Sequence, residues 1–217
     1  MHNYAIVVAG GAGTRMGTDI AKQFLVVKNK PVLMHTLQKF ETCDAIILVL
    51  PATQISYWQK LCVDYNFTIP HTVVEGGQER FNSVLNGLSV LPHEGVVAIH
   101  DGVRPCISKS IIAQSFTDAA TYKSAVAAVK LKDSIRMIEA DKTVAVDRNK
   151  FYLVQTPQTF ILADIKQAYL QVTSTNFTDD AAVFEAAGHD IHLISGDYKN
   201  IKITTPEDLP LAELFLS

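Results

Sequence analysis

Short, strongly apolar runs alternate with segments of helical periodicity along most of the chain, and this order limits the possible folds more than any other feature. Runs that are apolar throughout are typical of parallel strands covered by helices on both faces. The alternation therefore predicts a doubly wound, mostly parallel α/β sheet. The predicted strands span residues 4–9, 45–50, 72–75, 95–100, 125–129 and 191–194. The predicted helices span residues 33–40, 54–64, 80–91, 109–122, 161–173, 179–187 and 206–216.

Residues 130–148 interrupt this alternation. Two polar, alternating segments, 134–138 and 143–146, flank a turn-forming stretch, which predicts a β-hairpin. Its strands carry too little apolar surface to form a core, so the hairpin either extends into solvent or lies against another chain. The sequence contains no linker, repeat or low-complexity tract. We therefore predict a single domain, 1–217, from which a hairpin arm protrudes.

Composition excludes several classes of protein. Of the 217 residues, 48% are hydrophobic and 19% are charged, which allows a sizeable core and excludes global disorder. The net charge of −3 and the absence of a long basic run give little support for nucleic-acid binding. No apolar segment approaches the roughly 20 residues of a membrane span. The three cysteines are widely spaced without a CxxC motif, which favours a reducing cytoplasm over a disulfide framework or a zinc site.

The turn after the first predicted strand is rich in glycine and carries Arg15, with Lys22 following shortly after. Ligands of open α/β sheets bind beyond the carboxyl ends of the strands, and glycines there let backbone N–H groups approach an anion. The two cations suit a polyphosphate. No register supplies a Walker A loop, and Met16 stands where a dinucleotide fingerprint needs glycine. The turn therefore predicts a phosphate site of neither kind, the alternative being a simple chain reversal.

Two further turns after strands carry candidate ligand-binding residues. Asp101 could hold Mg²⁺ or a substrate hydroxyl, and Arg104 could hold a second anion. Alternatively, Asp101 caps a turn and Arg104 is its surface partner. Gly77 and Ser83, around the start of the third predicted helix, could accommodate a base or a ribose, although turn formation explains the glycine equally well.

Lys202 lies in an apolar run just before the last predicted helix. Thr205 would cap that helix, with Pro206 at its first position, but this capping does not account for the lysine. Lys202 either points outward from an alternating strand or belongs to a site. His100, next to Asp101, suggests acid–base chemistry, but the sequence shows no partner for it, and the seven histidines show no metal-binding spacing.

Six motifs follow one another along the chain: residues 9–17, Lys22-Gln23-Phe24, His100-Asp101-Gly102-Val103-Arg104-Pro105, Val146-Asp147-Arg148-Asn149, Gln155-Thr156-Pro157-Gln158 and residues 200–209. Together they resemble the motifs of the 2-C-methyl-D-erythritol 4-phosphate cytidylyltransferase family of the non-mevalonate isoprenoid pathway. The resemblance spans essentially the whole chain at matching spacing, which is far more specific than any single loop.

The resemblance implies a Rossmann-like nucleotidyltransferase fold and cytidylyl transfer from CTP, with Mg²⁺ as cofactor. Asp101 is the candidate metal ligand, with Mg²⁺ held mainly by the CTP phosphates. The catalytic residues it implies are Arg15, Lys22, Arg148 and Lys202. The CTP-binding residues it implies are Gly10, Gly11, Gly13, Lys22, Gly77, Ser83, Asp101 and Lys202. The residues it implies for the sugar-alcohol phosphate are Asp101, Arg104, Ser134, Arg148, Thr156 and Thr178.

The hairpin arm of that family crosses to a partner subunit. The resemblance therefore implies a homodimer through residues 130–148, in which Ser134 and Arg148 serve the neighbour's site. This chain departs from the family pattern at Ser134, where threonine is usual, at Ala21, where proline is frequent, and at Gln78, where aspartate is common. None of the three departures removes a charged catalytic group.

Three other functions stay open at this point. A cytidylyltransferase acting on ribitol 5-phosphate shares most of the motifs, although the arm arginine Arg148 favours the methylerythritol enzyme. The glycine spacing and a missing acidic residue disfavour a nicotinamide-dependent oxidoreductase. The presence of Arg15, Lys22, Asp101 and Lys202 disfavours a catalytically silent nucleotide-binding protein.

Overall fold

The computed structural model describes residues 1–10 and 20–216, which form strands, α-helices and two 3₁₀ turns, Lys22–Phe24 and Arg148–Lys150. The strands are β1 (Asn3–Val8), β2 (Val26–Val27), β3 (Lys30–Pro31), β4 (Ala45–Leu50), β5 (Thr72–Glu75), β6 (Val96–Asp101), β7 (Ser124–Lys130), β8 (Arg136–Glu139), β9 (Lys142–Ala145), β10 (Tyr152–Ile161) and β11 (Leu193–Ser195). The helices are α1 (Val32–Lys39), α2 (Ala52–Asp64), α3 (Arg80–Ser89), α4 (Lys109–Tyr122), α5 (Leu162–Gln171), α6 (Asp180–Ala186) and α7 (Asp208–Phe215).

The main sheet has seven strands in the order β11-β7-β10-β6-β1-β4-β5. Its neighbouring strands pair in parallel except at β10, which is antiparallel to both β6 and β7. The prediction of a doubly wound, mostly parallel sheet is therefore confirmed. Successive residues of β1 show why its run is apolar throughout, because Tyr4 and Ile6 face one helical layer while Ala5 and Val7 face the other.

Each face of the sheet is covered by its own apolar layer. One layer contains Phe40 and Trp58, and the other contains Phe81, Phe160 and Phe184, of which all but Phe81 are completely buried. Burial of a large apolar side chain stabilises the fold by roughly 1.5–3 kcal/mol. These layers hold the strand ends in place, and the strand ends carry the site.

Strand β10 was not predicted from the sequence. Its middle, Gln155-Thr156-Pro157-Gln158, is polar and contains proline, which is uncommon in a central strand. Its pairing register with β7 shifts between Val154 and Gln158, an interval that includes a cis Thr156–Pro157 peptide. Such an irregularity redirects side chains away from the regular ladder. In β10 the irregularity interrupts the hydrogen-bond ladder with β7, next to the end of β6.

The hairpin is confirmed as strands β8 and β9, which pair antiparallel from Arg136 opposite Ala145 to Glu139 opposite Lys142. They form a two-stranded sheet separate from the main one, and β8 is exposed along its whole length. Among the helices of the described residues, none combines the length and the apolar character needed to cross a membrane.

The last helix begins later than its capping signal predicted. The expected cap at Thr205 is wrong, because α7 begins at Asp208 and residues 204–207 precede it as an irregular turn. The Asp208 carboxylate accepts hydrogen bonds from the backbone N–H groups of Thr204 and Thr205, at 2.8 and 2.9 Å. These bonds stabilise the turn at residues 204–207, so the helix begins only at Asp208.

The chain reverses its direction across the sheet at β1. After β1 it adds β4 and β5 on one side and then crosses to β6 on the other side. Connections that leave in opposite directions open a crevice beyond the carboxyl ends of the two central strands. Val8 of β1 is in register with Asp101 of β6, so this crevice lies between the turns that follow these two residues.

Candidate active site

Two adjacent cavities open at this crevice. The first cavity, of about 310 Å³, lies between the ends of β1 and β6 and the start of α3. The second cavity, of about 270 Å³, lies over β10 and the start of α6. Three side chains line both cavities: Arg80, Asp101 and Lys202. Ligands bound in the two cavities would therefore meet at these three side chains.

Most of the described residues that the resemblance implies for CTP line the first cavity, and most of those that it implies for the sugar-alcohol phosphate line the second. Those that line the first cavity are Gly10, Lys22, Gly77, Ser83, Asp101 and Lys202. Those that line the second cavity are Asp101, Arg104, Thr156, Thr178 and Lys202. Gly11, Gly13 and Arg15 lie outside the described residues.

Asp101 is the centre of a cluster of charges at the boundary. Its Oδ2 lies 3.1 Å from Lys202 Nζ and 3.2 Å from Arg104 Nε, and its Oδ1 lies 3.9 Å from Arg80 Nε. Burial alone would raise the pKa of Asp101, but the three neighbouring cations hold it well below its usual range. Asp101 thus holds three cationic groups at the boundary, and cationic groups suit phosphates.

These contacts decide between the alternatives that the sequence left open. Lys202 lies in an irregular segment rather than on a strand, and its ammonium group faces Asp101. Arg104 is not a surface residue, because its side chain is nearly buried and donates a hydrogen bond of 2.8 Å to the carbonyl of Asn200. Both side chains therefore belong to the crevice.

The turn between β5 and α3 forms one wall of the first cavity. Ser83 Oγ accepts a hydrogen bond from the N–H of Gly77 at 3.1 Å and donates one to the carbonyl of Glu79 at 3.0 Å. A Cβ atom at Gly77 would collide with Asn82, so only glycine fits there. Asn82 also closes a capping box with Glu79, which fixes the start of α3.

Lys22 reaches the first cavity from a 3₁₀ turn that Gln23 anchors. Gln23 is buried, and its amide nitrogen donates hydrogen bonds to the carbonyl of Ala9 at 2.9 Å and to Gln54 Oε1 at 2.6 Å. Phe24 packs edge-on against Tyr57 and is buried in the core. The turn is therefore held against the end of β1, with Lys22 on its cavity side.

His100 has partners that the sequence could not show. Its Nε2 lies 3.1 Å from the carbonyl of Arg104, and its Nδ1 lies 3.0 Å from Thr156 Oγ1. A carbonyl only accepts, so Nε2 carries the proton and Nδ1 accepts from the Thr156 hydroxyl. That hydroxyl in turn accepts a hydrogen bond of 3.1 Å from the N–H of Asp101. The Thr156 proton is thus committed to His100, and the chain of hydrogen bonds fixes the end of β6.

Burial of His100 makes the stability of the fold dependent on pH. Burial lowers the pKa of His100 from 6.5 to about 4, so between these values the unfolded chain binds a proton that the folded chain does not. The contribution of the neutral His100 ring to the free energy of unfolding is fully present above pH 6.5. It is lost as the pH falls toward 4, by up to about 1.4 kcal/mol per pH unit. We expect urea unfolding between pH 7 and 4.5 to show a shallower loss of stability for His100→Gln than for the wild type.

Two features make this comparison specific to His100. His35, whose pKa burial also lowers, is present in both proteins and cancels in the difference. His93→Gln, at an exposed histidine, is the matched control and should retain the wild-type slope. Identical slopes for the wild type and His100→Gln would show that the ring is not held neutral.

Two functional candidates at the crevice were missed in the sequence, Arg80 and Asp180. Arg80 donates two hydrogen bonds to the fully buried carboxylate of Asp180, from its two terminal nitrogens at 2.8 and 2.5 Å. The residues are 100 positions apart, and each has an ordinary local reading as the first residue of a helix. No local signal links them.

Two predicted site residues lie away from both cavities. Ser134 precedes the hairpin strand β8, and Arg148 follows β9; both are exposed. The guanidinium group of Arg148 donates a hydrogen bond to the carbonyl of Lys132, at the base of the arm. Within this chain, the structure therefore does not bring these two residues together with the Asp101 cluster.

The chain is similar along its whole length to known proteins. The family model described as IspD: 2-C-methyl-D-erythritol 4-phosphate cytidylyltransferase matches residues 3–217. The chain is 49% identical to the protein of that name from Porphyromonas gingivalis, over 99% of this chain and 97% of that one. It is 45% identical to the protein from Phocaeicola vulgatus, over the full length of both. A solved structure of 4-diphosphocytidyl-2C-methyl-D-erythritol synthase from Anaerococcus prevotii matches with a TM-score of 0.84 and 29% identity, over 99% of this chain and 98% of that one.

Proposed function

The chain belongs to the 2-C-methyl-D-erythritol 4-phosphate cytidylyltransferase family, and from this premise we propose how its two cavities carry out the reaction. It is a nucleotidyltransferase that transfers a cytidylyl group from CTP to 2-C-methyl-D-erythritol 4-phosphate. The products are 4-diphosphocytidyl-2-C-methyl-D-erythritol, an intermediate of the non-mevalonate isoprenoid pathway, and pyrophosphate. The observation that carries the assignment of residues is that Arg80, Asp101 and Lys202 line both cavities.

CTP occupies the first cavity in this proposal, and the sugar-alcohol phosphate occupies the second. Gly10, Gly11, Gly13 and Arg15 are the proposed partners of the CTP phosphates, while Gly77 and Ser83 lie on its nucleoside side. Asp101 and Thr178 bind hydroxyls of the second substrate, and Arg104 balances its charge. Thr156 acts mainly by fixing the end of β6, because its hydroxyl proton is committed to His100. Lys202, at the boundary, lies where the phosphate of one substrate meets the α-phosphorus of the other.

The chemical step is an in-line substitution at that phosphorus. An oxygen of the second substrate's phosphate forms a bond to the α-phosphorus of CTP, the bond from this phosphorus to the bridging oxygen breaks, and pyrophosphate leaves. A phosphomonoester is already anionic near neutral pH, so no general base and no covalent enzyme intermediate are required. The protein aligns two anions and neutralises their charge, for which Arg15, Lys22 and Lys202 are the proposed groups.

Magnesium is the proposed cofactor, and the residues present fit it in one limited way. Among residues 1–10 and 20–216 there is no cluster of three or more His, Cys, Asp or Glu side chains that could hold a metal. Mg²⁺ in nucleotide enzymes is commonly held by one or two carboxylates together with substrate phosphates. Asp101 could supply one carboxylate oxygen, Oδ1, since Oδ2 is already held by Lys202 and Arg104. When bound, Mg²⁺ would neutralise the phosphates of CTP and orient the leaving group.

Purified protein is expected to release pyrophosphate from CTP with 2-C-methyl-D-erythritol 4-phosphate when Mg²⁺ is present, and to stop when EDTA is in excess. Turnover of ribitol 5-phosphate should be much lower. The measurement is pyrophosphate release against a panel of sugar-alcohol phosphates, with the product identified by mass spectrometry. Equal or faster turnover of ribitol 5-phosphate would move the assignment to that related enzyme. No release with any of these phosphates would support a silent nucleotide-binding protein.

A homodimer with shared sites is the proposed assembly: one catalytic domain from which the arm, residues 130–148, reaches a second copy. Apolar side chains on the arm and at the start of β10 support this proposal, because Ile138 is 78% exposed and Leu153 is 54% exposed. Exposed apolar patches of this kind are typical of protein interfaces. Ser134 and Arg148, which lie away from the cavities of their own chain, would then reach those of the partner. The proposed location is the reducing cytoplasm, which the wide spacing of Cys43, Cys62 and Cys106 favours.

A further inference from the structure

The pair formed by Arg80 and Asp180 connects the walls of the two cavities. Arg80 is the first residue of α3, next to the turn that carries Gly77, and Asp180 is the first residue of α6, next to Thr178. The two parallel hydrogen bonds between guanidinium and carboxylate set both the distance and the plane of the contact. The side chain of Arg80 also lines both cavities.

Asp180 is itself held rigidly. Tyr169 donates a hydrogen bond of 2.6 Å to Asp180 Oδ1, and burial and the nearby carboxylate raise the pKa of Tyr169, so the hydroxyl keeps its proton. The backbone N–H groups of Asp180 and Ala181 both donate to Gln158 Oε1, at 2.9 and 2.8 Å. The start of α6 is therefore tied to β10, and Arg80 is tied to the start of α6.

Arg80 stays charged and close to Asp101. Burial alone would lower the pKa of Arg80, but the charge of Asp180, with that of Asp101, raises it above its ordinary value. Its Nε lies 3.9 Å from Asp101 Oδ1, which is too far for a hydrogen bond and near enough for electrostatic attraction. The contact with Asp180 thus keeps the guanidinium from closing on Asp101, whose other oxygen is held by Lys202 and Arg104.

We propose that the Arg80–Asp180 pair is a positioning element shared by both substrates, which sets the place of Asp101 and its cations at the boundary between the cavities. The inference rests on the proposed function. The side chain of Asp180 lines neither cavity among the residues described, so its carboxylate acts through Arg80. Breaking the pair releases the guanidinium toward Asp101 and disturbs both cavities at once.

The direction of the change in KM for the variant Asp180→Asn distinguishes loss of positioning from simple loss of charge. Loss of one negative charge near two phosphate-bearing substrates would by itself lower KM for both of them. Loss of positioning raises both. We expect KM for CTP and KM for 2-C-methyl-D-erythritol 4-phosphate each to rise about 10-fold, and the affinity for CTP alone, measured by calorimetry with Mg²⁺, to fall by a similar factor. Arg80→Lys, which keeps the charge but cannot make two parallel bonds, should raise both KM values in the same way.

Two controls separate positioning from simple destabilisation. Glu185→Gln removes one negative charge from an exposed position on the same helix, and it should leave both KM values unchanged. Tyr169→Phe removes a hydrogen bond to Asp180 but keeps the pair, and it should change each KM less than about threefold. A merely structural role would lower the thermal midpoint and the active fraction in Asp180→Asn without changing KM.

The outcomes that would overturn the proposal are distinct from those that bear on the reaction itself. Shared positioning would be disproved if folded Asp180→Asn kept both KM values at or below the wild-type levels. A rise in only one of the two KM values would disprove it as well. If Asp180→Asn does not fold, Asp180→Glu keeps both charges and moves only the carboxylate, so it should raise both KM values, and unchanged values would again reject the proposal. An inactive wild-type protein would instead reject the proposed function.

Discussion

Lys202→Met is expected to lower kcat about 100-fold or more while the thermal midpoint stays near that of the wild type. The ammonium group lies 3.1 Å from Asp101 at the boundary of the two cavities, where the proposed mechanism has charge develop as phosphate attacks phosphorus. A 100-fold loss of kcat corresponds to about 2.7 kcal/mol of lost transition-state stabilisation, which is typical for the removal of one such charged group. The side chain is 43% exposed, and Arg80 and Arg104 still face Asp101 without it, so the fold should tolerate the change.

Steady-state kinetics with each substrate varied in turn, together with thermal unfolding, test this expectation. The effect on kcat should exceed the effect on the affinity for CTP, because a group that acts mainly in the transition state contributes less to ground-state binding. Lys202→Arg should restore only part of the rate, since a planar guanidinium is wider than an ammonium. Lys199→Met, three residues away and exposed, is the matched control and should be fully active. A near-normal kcat for Lys202→Met would remove Lys202 from the catalytic groups and leave Lys22 unaffected.

Arg148→Ala and Lys22→Ala should each be nearly inactive alone and should recover activity when their subunits are mixed. If Arg148 acts in the partner's site, a mixed dimer has one site with both native residues and one site with neither. Random exchange at equal concentrations then gives about one quarter of the wild-type activity for a two-fold symmetric dimer. If Arg148 acts within its own subunit, neither site of the mixed dimer is complete.

The mixing experiment needs proof of subunit exchange, which two mass-tagged chains and native mass spectrometry provide. Lys150→Ala, at an exposed lysine two residues from Arg148, is the control and should be active without mixing. Exchanged dimers that stay inactive would contradict shared sites. A monomer in analytical ultracentrifugation at assay concentration would do the same.

The parallel strands could be predicted because strands buried on both faces are apolar at every position, and this signal is local. The positions of Asp101 and Lys22 followed from the rule that ligands bind beyond the carboxyl ends of such strands. Strand β10 could not be predicted in this way, because its buried polar residues are satisfied by partners far along the chain. Gln158, for example, accepts from the backbone of α6, 22 residues later.

The same limit applies to the site. The hydrogen bonds from Thr156 to His100 and from Arg80 to Asp180 join residues 56 and 100 positions apart. His100, Arg80 and Asp180 each have a sufficient local explanation as part of a strand or as the start of a helix. Thr156 lies in β10, which was not predicted. Only the tertiary fold, which brings β10 next to β6 and the start of α6 against the start of α3, gives them their partners.

The position of β10 in the sheet also has a consequence for the newly synthesised chain. Strand β7 pairs with β10 and β11, and both of these strands emerge from the ribosome after it. Until residues 152–161 have been translated, β7 has neither sheet neighbour and β6 lacks one, so their edges can pair with other chains. The strands that carry the first cavity are complete by residue 101, whereas the second cavity requires β10. The growing polypeptide thus acquires the strands of the first cavity before it can complete the second, and in the interval between them the edges of β6 and β7 are unpaired.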